Sequence, residues 1–393
     1  MKKLFKIISE TALVFILTVT LCACTSQQVS APLPSPTPQP SPTPRPADCV
    51  SFIAAGDNLI HGSVYLQAAA RSTDGGYNFD YAYANTEDYF DNFDVKFINQ
   101  ETLVNDAFAP SHYPQFSTPV ALGDKVLEMG FNVIATANNH SYDKGPAGVR
   151  SSLEYWNSKD VVNVGFYTGN DNADIKYMTV NNIKMAFLAY TYGTNGLSIY
   201  DETCPYIIHP DDFETVERQV KTAKENADVV IVSCHWGYED TNTVNDYQKI
   251  VAEKLNIMGV DVIIGTHPHV IQTCEWHTNT VNDNKTLICY SLGNFISAQS
   301  KANNMLGGLF QFDITKEYDL DNNETIIINN AYFVPTITHY DSNYTNIRNY
   351  ILKDYTPELA AAHGVQAHDS KFSYDYIENI VYSVIPEEFL LYK

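Results

Sequence analysis

Two histidines flank a proline in GTHPHVIQ, residues 265–272, directly after the apolar run VDVII. Such a pair is either a turn with satisfied imidazoles or part of a metal site. The pattern around it recurs along the chain. VSFIAAGDN ends in Asp57, VKFINQET in Asn99 and Glu101, and FNVIATANNHSYD in Asn138, Asn139, His140 and Asp143. MAFLAYTYG ends in Tyr192 and Gly193, VVIVSCHWGYED in His235, Trp236 and Glu239, and TLICYSLGNF in Ser291, Gly293 and Asn294. Asp57, Glu101, Asn139, His235, His267 and His269 together offer carboxylate, amide and imidazole donors. Hard oxygen and nitrogen donors without thiolate suit Mn, Fe, Zn or Co. The set exceeds what a tetrahedral zinc with an open position takes. It suits two divalent ions sharing a carboxylate, which lower the pKa of a bridging water and clamp an in-line displacement. His140 then serves as general acid, with Asp143 orienting it. Asn138, Glu239 and Asn294 are candidates for substrate contact.

Taken singly, these residues have plainer roles. Asp57 can cap a helix, Asn138 and Asn139 can close a turn, His235 can be a satisfied core histidine, and Gly293 and Asn294 can shape a loop. What favours a site is where the residues fall. The apolar runs before them are continuous rather than alternating, as in strands buried on both faces. Helical patterns separate several of them, at 118–130, 211–227 and 244–259. Strands alternating with helices give an α/β fold around a largely parallel sheet. Its sites lie beyond the carboxyl ends of the strands, where each of these groups sits. If strand geometry persists past VDVII, His267 and His269 face the same side. From about Met305 the pattern changes: LGGLFQFDI and ETIIINNAYFVPTITHY alternate, as antiparallel strands do. TPELAAAHGVQAHDS starts helical and becomes loop-like.

The N-terminus is a targeting segment. Lys2, Lys3 and Lys6 precede the apolar stretch Thr11 to Leu21 and then Leu21-Cys22-Ala23-Cys24. This resembles a bacterial lipobox, with cleavage before Cys24 and a lipid on its thiol. An ordinary secretory signal or a membrane anchor is the alternative, although the run is short of the roughly 20 residues a spanning helix needs. Each places the folded part outside the cytoplasm. Proline then recurs at nearly every second position up to residue 48, an extended spacer reaching about 50 Å. The expected division is 1–23 signal peptide, 24–48 lipidated Cys24 and linker, 49–315 main domain, and 316–393 strands and tail completing or covering it. The remainder after the linker is ample for one large core. The chain carries 24 basic and 46 acidic residues, a net charge of −22. That excludes nucleic acid and anionic lipid head groups as partners. Cys49, Cys204, Cys234, Cys274 and Cys289 are scattered, so neither a disulfide framework nor a zinc-thiolate site is expected. Cys234 and Cys289 read as buried hydrophobes, and the other three leave room for one disulfide.

GDN, NQET, PQFSTPVALGDKVLEMGFNVIATANNHSYDKGPAGV, CHWGYED, GTHPHVIQ and YSLGNF follow one another over roughly residues 50–300. In this order they resemble the bacterial capsule-synthesis CapA family, the poly-γ-glutamate synthesis proteins. ANNHSYDKG, GTHPHV and SLGNF are the specific parts. That family resembles a branch of the calcineurin-like metallophosphoesterases. The resemblance implies a metallophosphatase-like four-layer α/β/β/α sandwich with parallel and mixed sheets. It implies that Asp57, Glu101 and His269 serve one metal, that Glu101, Asn139, His235 and His267 serve the other, and that His140 is catalytic. The sequence departs from the phosphoesterase Asp-x-His motif at Leu59, leaving His61 or Asn58 as substitutes, and Glu101 replaces the bridging aspartate. The implied role is making, exporting or anchoring an anionic envelope polymer, poly-γ-glutamate, beside a membrane ligase complex. The enzyme reading is a hydrolase-like site; the alternative is a non-catalytic subunit that binds the polymer and the ligase complex.

Overall fold

The computed structural model describes residues 44–280 and 283–391. The expected signal peptide, Cys24 and most of the proline-rich stretch lie outside them. In chain order the strands are β1 (Asp48–Asn58), β2 (Val95–Asn99), β3 (Val133–Ala135), β4 (Val162–Val164), β5 (Lys176–Val180), β6 (Ile183–Thr191) and β7 (Val229–His235). They continue with β8 (Val262–Thr266), β9 (Ile271–Thr278), β10 (Lys285–Leu292), β11 (Asn294–Ile296), β12 (Leu306–Tyr318), β13 (Glu324–Asp341) and β14 (Thr345–Ile351).

These strands form two mixed sheets. The first runs β14-β13-β12-β1-β2-β3-β4, with β11 also pairing β1. Strands β1 to β4 are parallel, and β12 to β14 add an antiparallel wing. The second runs β5-β6-β7-β8-β10-β9, parallel from β6 through β10 and antiparallel at both edges. Strand alternation assigns the faces. Met185, Phe187 and Ala189 of β6 join the core shared with the first sheet. Ala186, Leu188 and Tyr190 pack with Val216, Val220, Val251 and Leu255 of the covering helices. The helices Val120–Glu128 and Gly145–Asn157 contribute Leu122, Val126 and Trp156 to the first sheet's core. Four layers result, helix, sheet, sheet and helix.

Local signals set the helix ends. The pattern at 211–227 forms Phe213–Asn226, with the Asp212 side chain accepting from the Thr215 N–H at its start. The one at 244–259 forms Asp246–Ile257. There Asn245 and Gln248 exchange two bonds, Gln248 N–H to Asn245 Oδ1 at 2.8 Å and Asn245 N–H to Gln248 Oε1 at 3.0 Å. This reciprocal capping satisfies donors that the first turn leaves open. The pattern at 118–130 forms the shorter helix Val120–Glu128.

Two strands run across the expected divisions. The first strand starts at Asp48, one residue inside the expected spacer, because Asp48 pairs with Lys316 of β12. The expected division between residues 315 and 316 falls inside β12. The β12–β13 ladder runs from Leu306 opposite Ile337 to Tyr318 opposite Glu324 without a break at that point. Residues 44–393 form one compact unit. All five cysteines in it are free; Cys49 is exposed and the other four are buried. Among the described residues no helix is long and apolar enough to cross a membrane.

Candidate metal centre

Several parallel strands deliver a polar group at or just past the carboxyl end, and the two sheets bring those ends together. Asp57 and Asn99 close β1 and β2, His235 closes β7, and His267 follows β8. All of Asp57, Glu101, Asn139, His235, His267 and His269 are buried. Ligand atoms of Asp57, Glu101 and His269 lie within 4.8 Å of one another, as do those of Glu239, His267 and His269. His235 Nε2 stands 3.9 Å from Glu101 Oε1 and 3.1 Å from Asn139 Oδ1. The His235 and His267 rings are 4.7 Å apart, and Tyr192 lies 4.5 Å from His267.

His267 and His269 reach this pocket by a different route from strand alternation. β8 ends at Thr266, and the two histidines have φ of 97° and 58°. Left-handed backbone at a side chain with a Cβ costs roughly 1–2 kcal/mol. The turn is held by contacts. The His267 N–H faces both Asp57 oxygens at 3.3 and 3.4 Å, and the Asn294 and Asn304 amides donate to the His269 carbonyl.

The donor set fits divalent ions. Both oxygens of Glu101 and Nδ1 of His267 are buried without a hydrogen-bond partner. Buried polar atoms are otherwise satisfied in folded proteins. His235 Nδ1 sits 3.0 Å from the Thr266 hydroxyl. Donation there leaves the Nε2 lone pair facing the Asn139 oxygen and Glu101, an arrangement that needs a proton or a cation between acceptors. Burial pushes Glu101 well above the usual carboxylate range, with His269 partly opposing. Burial would lower His269 as well, but Glu101 and Asp57 outweigh it and hold the imidazole up at about 10. Burial, reinforced by neighbouring imidazoles, drives His235 and His267 well down, into the neutral form that binds metal. Without an ion, the proton on His269 supplies the positive charge these carboxylates require.

Asp57 braces its neighbours. Its Oδ1 accepts from Asn99 at 2.7 Å and its Oδ2 faces His269 Nδ1 at 3.1 Å. A carboxylate behind a ligating imidazole fixes the ring and raises its basicity. At the position of the missing motif histidine, Leu59 is buried. Asn58 does not replace it, since its amide is bonded to Gln100 and to the Tyr83 hydroxyl. His61 lies outside both candidate ligand groups, and its Nδ1 accepts the Ala298 N–H at 3.1 Å.

His140 Nδ1 meets Asp143 Oδ2 at 2.8 Å, which leaves Nε2 for a substrate proton. The same Asp143 oxygen accepts the Phe116 N–H at 2.6 Å, and the Phe116 ring stands edge-on to His140 at 4.7 Å. Phe116 was legible only as part of a long motif. Thr266 and Asn304 likewise carried no separate signal. Of the expected substrate contacts, only Glu239 is exposed and open. Asn138 is committed to the His140 N–H and the Gln100 carbonyl, and shapes the loop. Asn294 is engaged in the same way: its amide contacts the His269 carbonyl, Gln299, the Asn304 carbonyl and His269 Nδ1.

Two buried histidines make the fold acid-sensitive. Burial is the main cause that holds His61 at about 4 and His363 at about 3, against an ordinary 6.5. A depressed pKa contributes stability that is present above the unfolded value and lost as pH falls through the folded one. The urea midpoint is therefore expected to drop as pH falls from 6.5 towards 4. Each histidine should cost about 1.4 kcal/mol per pH unit in that window. A midpoint unchanged between pH 7 and pH 4.5, values chosen to bracket roughly that window, would contradict this.

Residues 51–299 match the family described as bacterial capsule synthesis protein PGA_cap. The chain belongs to that family. Two relatives agree. The PGA biosynthesis protein CapA of Bacillus subtilis (strain 168) is 33% identical over 195 residues, covering 49% of this chain and 50% of its own length. The capsule biosynthesis protein CapA of Bacillus anthracis is 29% identical over 255 residues, covering 61% and 59%. The PGA_cap chain thus spans about half the length of the curated relatives it matches. Among solved structures, a putative 5′-nucleotidase from Staphylococcus aureus aligns with 16% identity and a TM-score of 0.44, over 73% of this chain and 54% of that one. The Haemophilus influenzae NAD nucleotidase aligns with 11% identity and a TM-score of 0.41, over 87% and 57%. Within the PGA_cap match lie Asp57, Glu101, Asn139, His140, His235, His267 and His269.

Proposed function

We propose that this PGA_cap protein is a lipid-anchored, extracytoplasmic protein whose metal centre acts hydrolytically on poly-γ-glutamate or a related anionic envelope polymer during its synthesis, export or anchoring. The observation that carries the reading is Glu101: a buried carboxylate with neither oxygen hydrogen-bonded, whose ligand atoms lie within 4.8 Å of those of Asp57 and His269, with His235 Nε2 at 3.9 Å. Two divalent ions, Mn, Fe or Zn, fit this donor set, with Glu101 shared. Bound there, they would supply an activated water and a clamp on the scissile group. The chain's own residues do the rest. Asp57 and Asn294 fix the His269 ring, Thr266 fixes His235, and Asp143 holds His140 so that Nε2 can protonate the leaving group. The names of the two Bacillus relatives support the polymer assignment. The Lys2 to Cys24 pattern and the proline spacer support the anchor.

A second reading, an accessory subunit that binds polymer beside a membrane ligase complex, is favoured by Leu59 in place of the motif histidine. Elemental analysis of the purified protein tests the metal centre. About two ions per chain are expected in the wild type, and a near-complete loss in His267→Ala/His269→Ala. Equal metal content in both would sink the proposal.

A further inference from the structure

Beside the metal centre lies an open cavity of about 340 Å³, lined by His61, Ser63, Leu66, His112 and Tyr344 among others. One aromatic ring separates it from the catalytic histidine: His61 stands edge-on to Phe116 at 5.6 Å, and Phe116 stands edge-on to His140 at 4.7 Å. Three features show that its walls are fixed. His61 Nδ1 is anchored between the Ala298 N–H at 3.1 Å and the Leu59 carbonyl at 3.2 Å, which fixes the ring and leaves Nε2 as its other polar atom, a donor or acceptor for a bound amide. Gly62 lets the His112 ring approach, since a Cβ there would sit 3.1 Å from His112 Cδ2. Tyr344 is held with φ of 54°, its ring 4.8 Å from Tyr340 and stacked on His368 at 5.1 Å. A tyrosine kept in left-handed backbone is strain that the surroundings maintain, and such strain gathers at functional sites.

The chemistry of the lining selects a ligand class. No lysine, arginine, aspartate or glutamate lines the cavity. A free carboxylate placed there would find no cation, and a sugar would find no carboxylate or carboxamide for its hydroxyl protons. Imidazole and hydroxyl donors between flat rings suit a carbonyl acceptor on a planar, uncharged group. We propose that this cavity is a subsite for a secondary amide of a peptide-bonded polymer, next to the unit held at the metal centre. The proposal rests on the polymer reading above and adds where the neighbouring unit sits.

Calorimetry of tri-γ-glutamate binding to the full-length, manganese-treated protein tests it, with metal content measured on the same samples. His61→Phe is expected to weaken binding about tenfold, and the exposed His112→Ala about threefold, the range of one or two lost hydrogen bonds. Metal content should stay at the wild-type level in both. Free glutamate, which lacks the amide, should bind the wild type and both variants alike. Identical affinities in all three proteins, with metal present, would overturn the subsite and leave the metal centre standing. Absence of metal from all samples, with the His61 dependence intact, would leave the subsite and remove the hydrolase reading. N-acetylglucosamine binding in place of tri-γ-glutamate would overturn the peptide assignment.

Discussion

Glu101→Gln is expected to empty the metal centre and, at the same time, to make the metal-free protein more stable. Glu101 is buried with neither oxygen bonded, and burial already forces its carboxyl towards the neutral form. Leaving such a group unsatisfied costs about 1–3 kcal/mol. Glutamine keeps the shape, cannot ionise and can turn its NH2 toward the His235 Nε2 lone pair, 3.9 Å from Glu101 Oε1, while Asp57, 3.1 Å from His269 Nδ1, still balances the imidazolium, so the chelator-treated variant should melt a few degrees above chelator-treated wild type, about 2 °C per kcal/mol at this size. Manganese should raise the melting temperature of the wild type, because an ion that binds only the folded state stabilises it in proportion to ln(1 + [L]/Kd). The variant should gain nothing from it. The check is four thermal scans, wild type and variant, with chelator and with manganese. Equal gains from manganese in both would mean that Glu101 is no ligand. A variant that melts lower without metal would mean that its oxygens have partners in solution.

The same residue shows what could be read from the sequence. Glu101 follows a continuous apolar run, as do Asp57 and His235. Parallel strands buried on both faces put such residues at one edge of a sheet, so convergence followed from the pattern alone. What followed poorly was anything decided by the turn after a strand. Alternation placed His267 and His269 on one side of an extended segment. The chain instead turns through left-handed backbone at both, and the turn is fixed by Asp57, Asn294 and Asn304, which are remote in sequence. Asn138 and Asn294 look like polar groups facing a pocket, yet their amides are consumed in holding His140 and His269. A side chain's type and position do not reveal whether its bonds point outward or inward. The alternation of LGGLFQFDI, 306–314, and ETIIINNAYFVPTITHY, 324–340, announced antiparallel strands. That β12 pairs with β1, completing the sheet that carries Asp57, depends on a register set by tertiary packing.

His140→Ala is the second large effect. If Nε2 protonates the leaving group, its loss should lower turnover about 10²- to 10⁴-fold, with metal content unchanged, since His140 is in neither candidate ligand group. A general acid matters most when the leaving group is a poor one. The fall should therefore be large for an alkyl phosphate or an amide and small for a nitrophenyl ester of the same acid. A residue that merely shaped the pocket would depress both alike. Asp143→Asn separates orientation from charge. Asp143 Oδ2 accepts from both His140 and the Phe116 N–H, whereas its Oδ1 is buried and unpartnered. An asparagine that keeps its oxygen at the shared position must bury an NH2 with no acceptor, and one that flips loses both bonds. Either way the His140 ring is held less well, so Asp143→Asn should share the leaving-group dependence of His140→Ala at a smaller amplitude. Equal losses on good and poor leaving groups would remove the general acid. Normal polymer output from cells carrying His140→Ala would point instead to the accessory reading, since binding a polymer requires no proton.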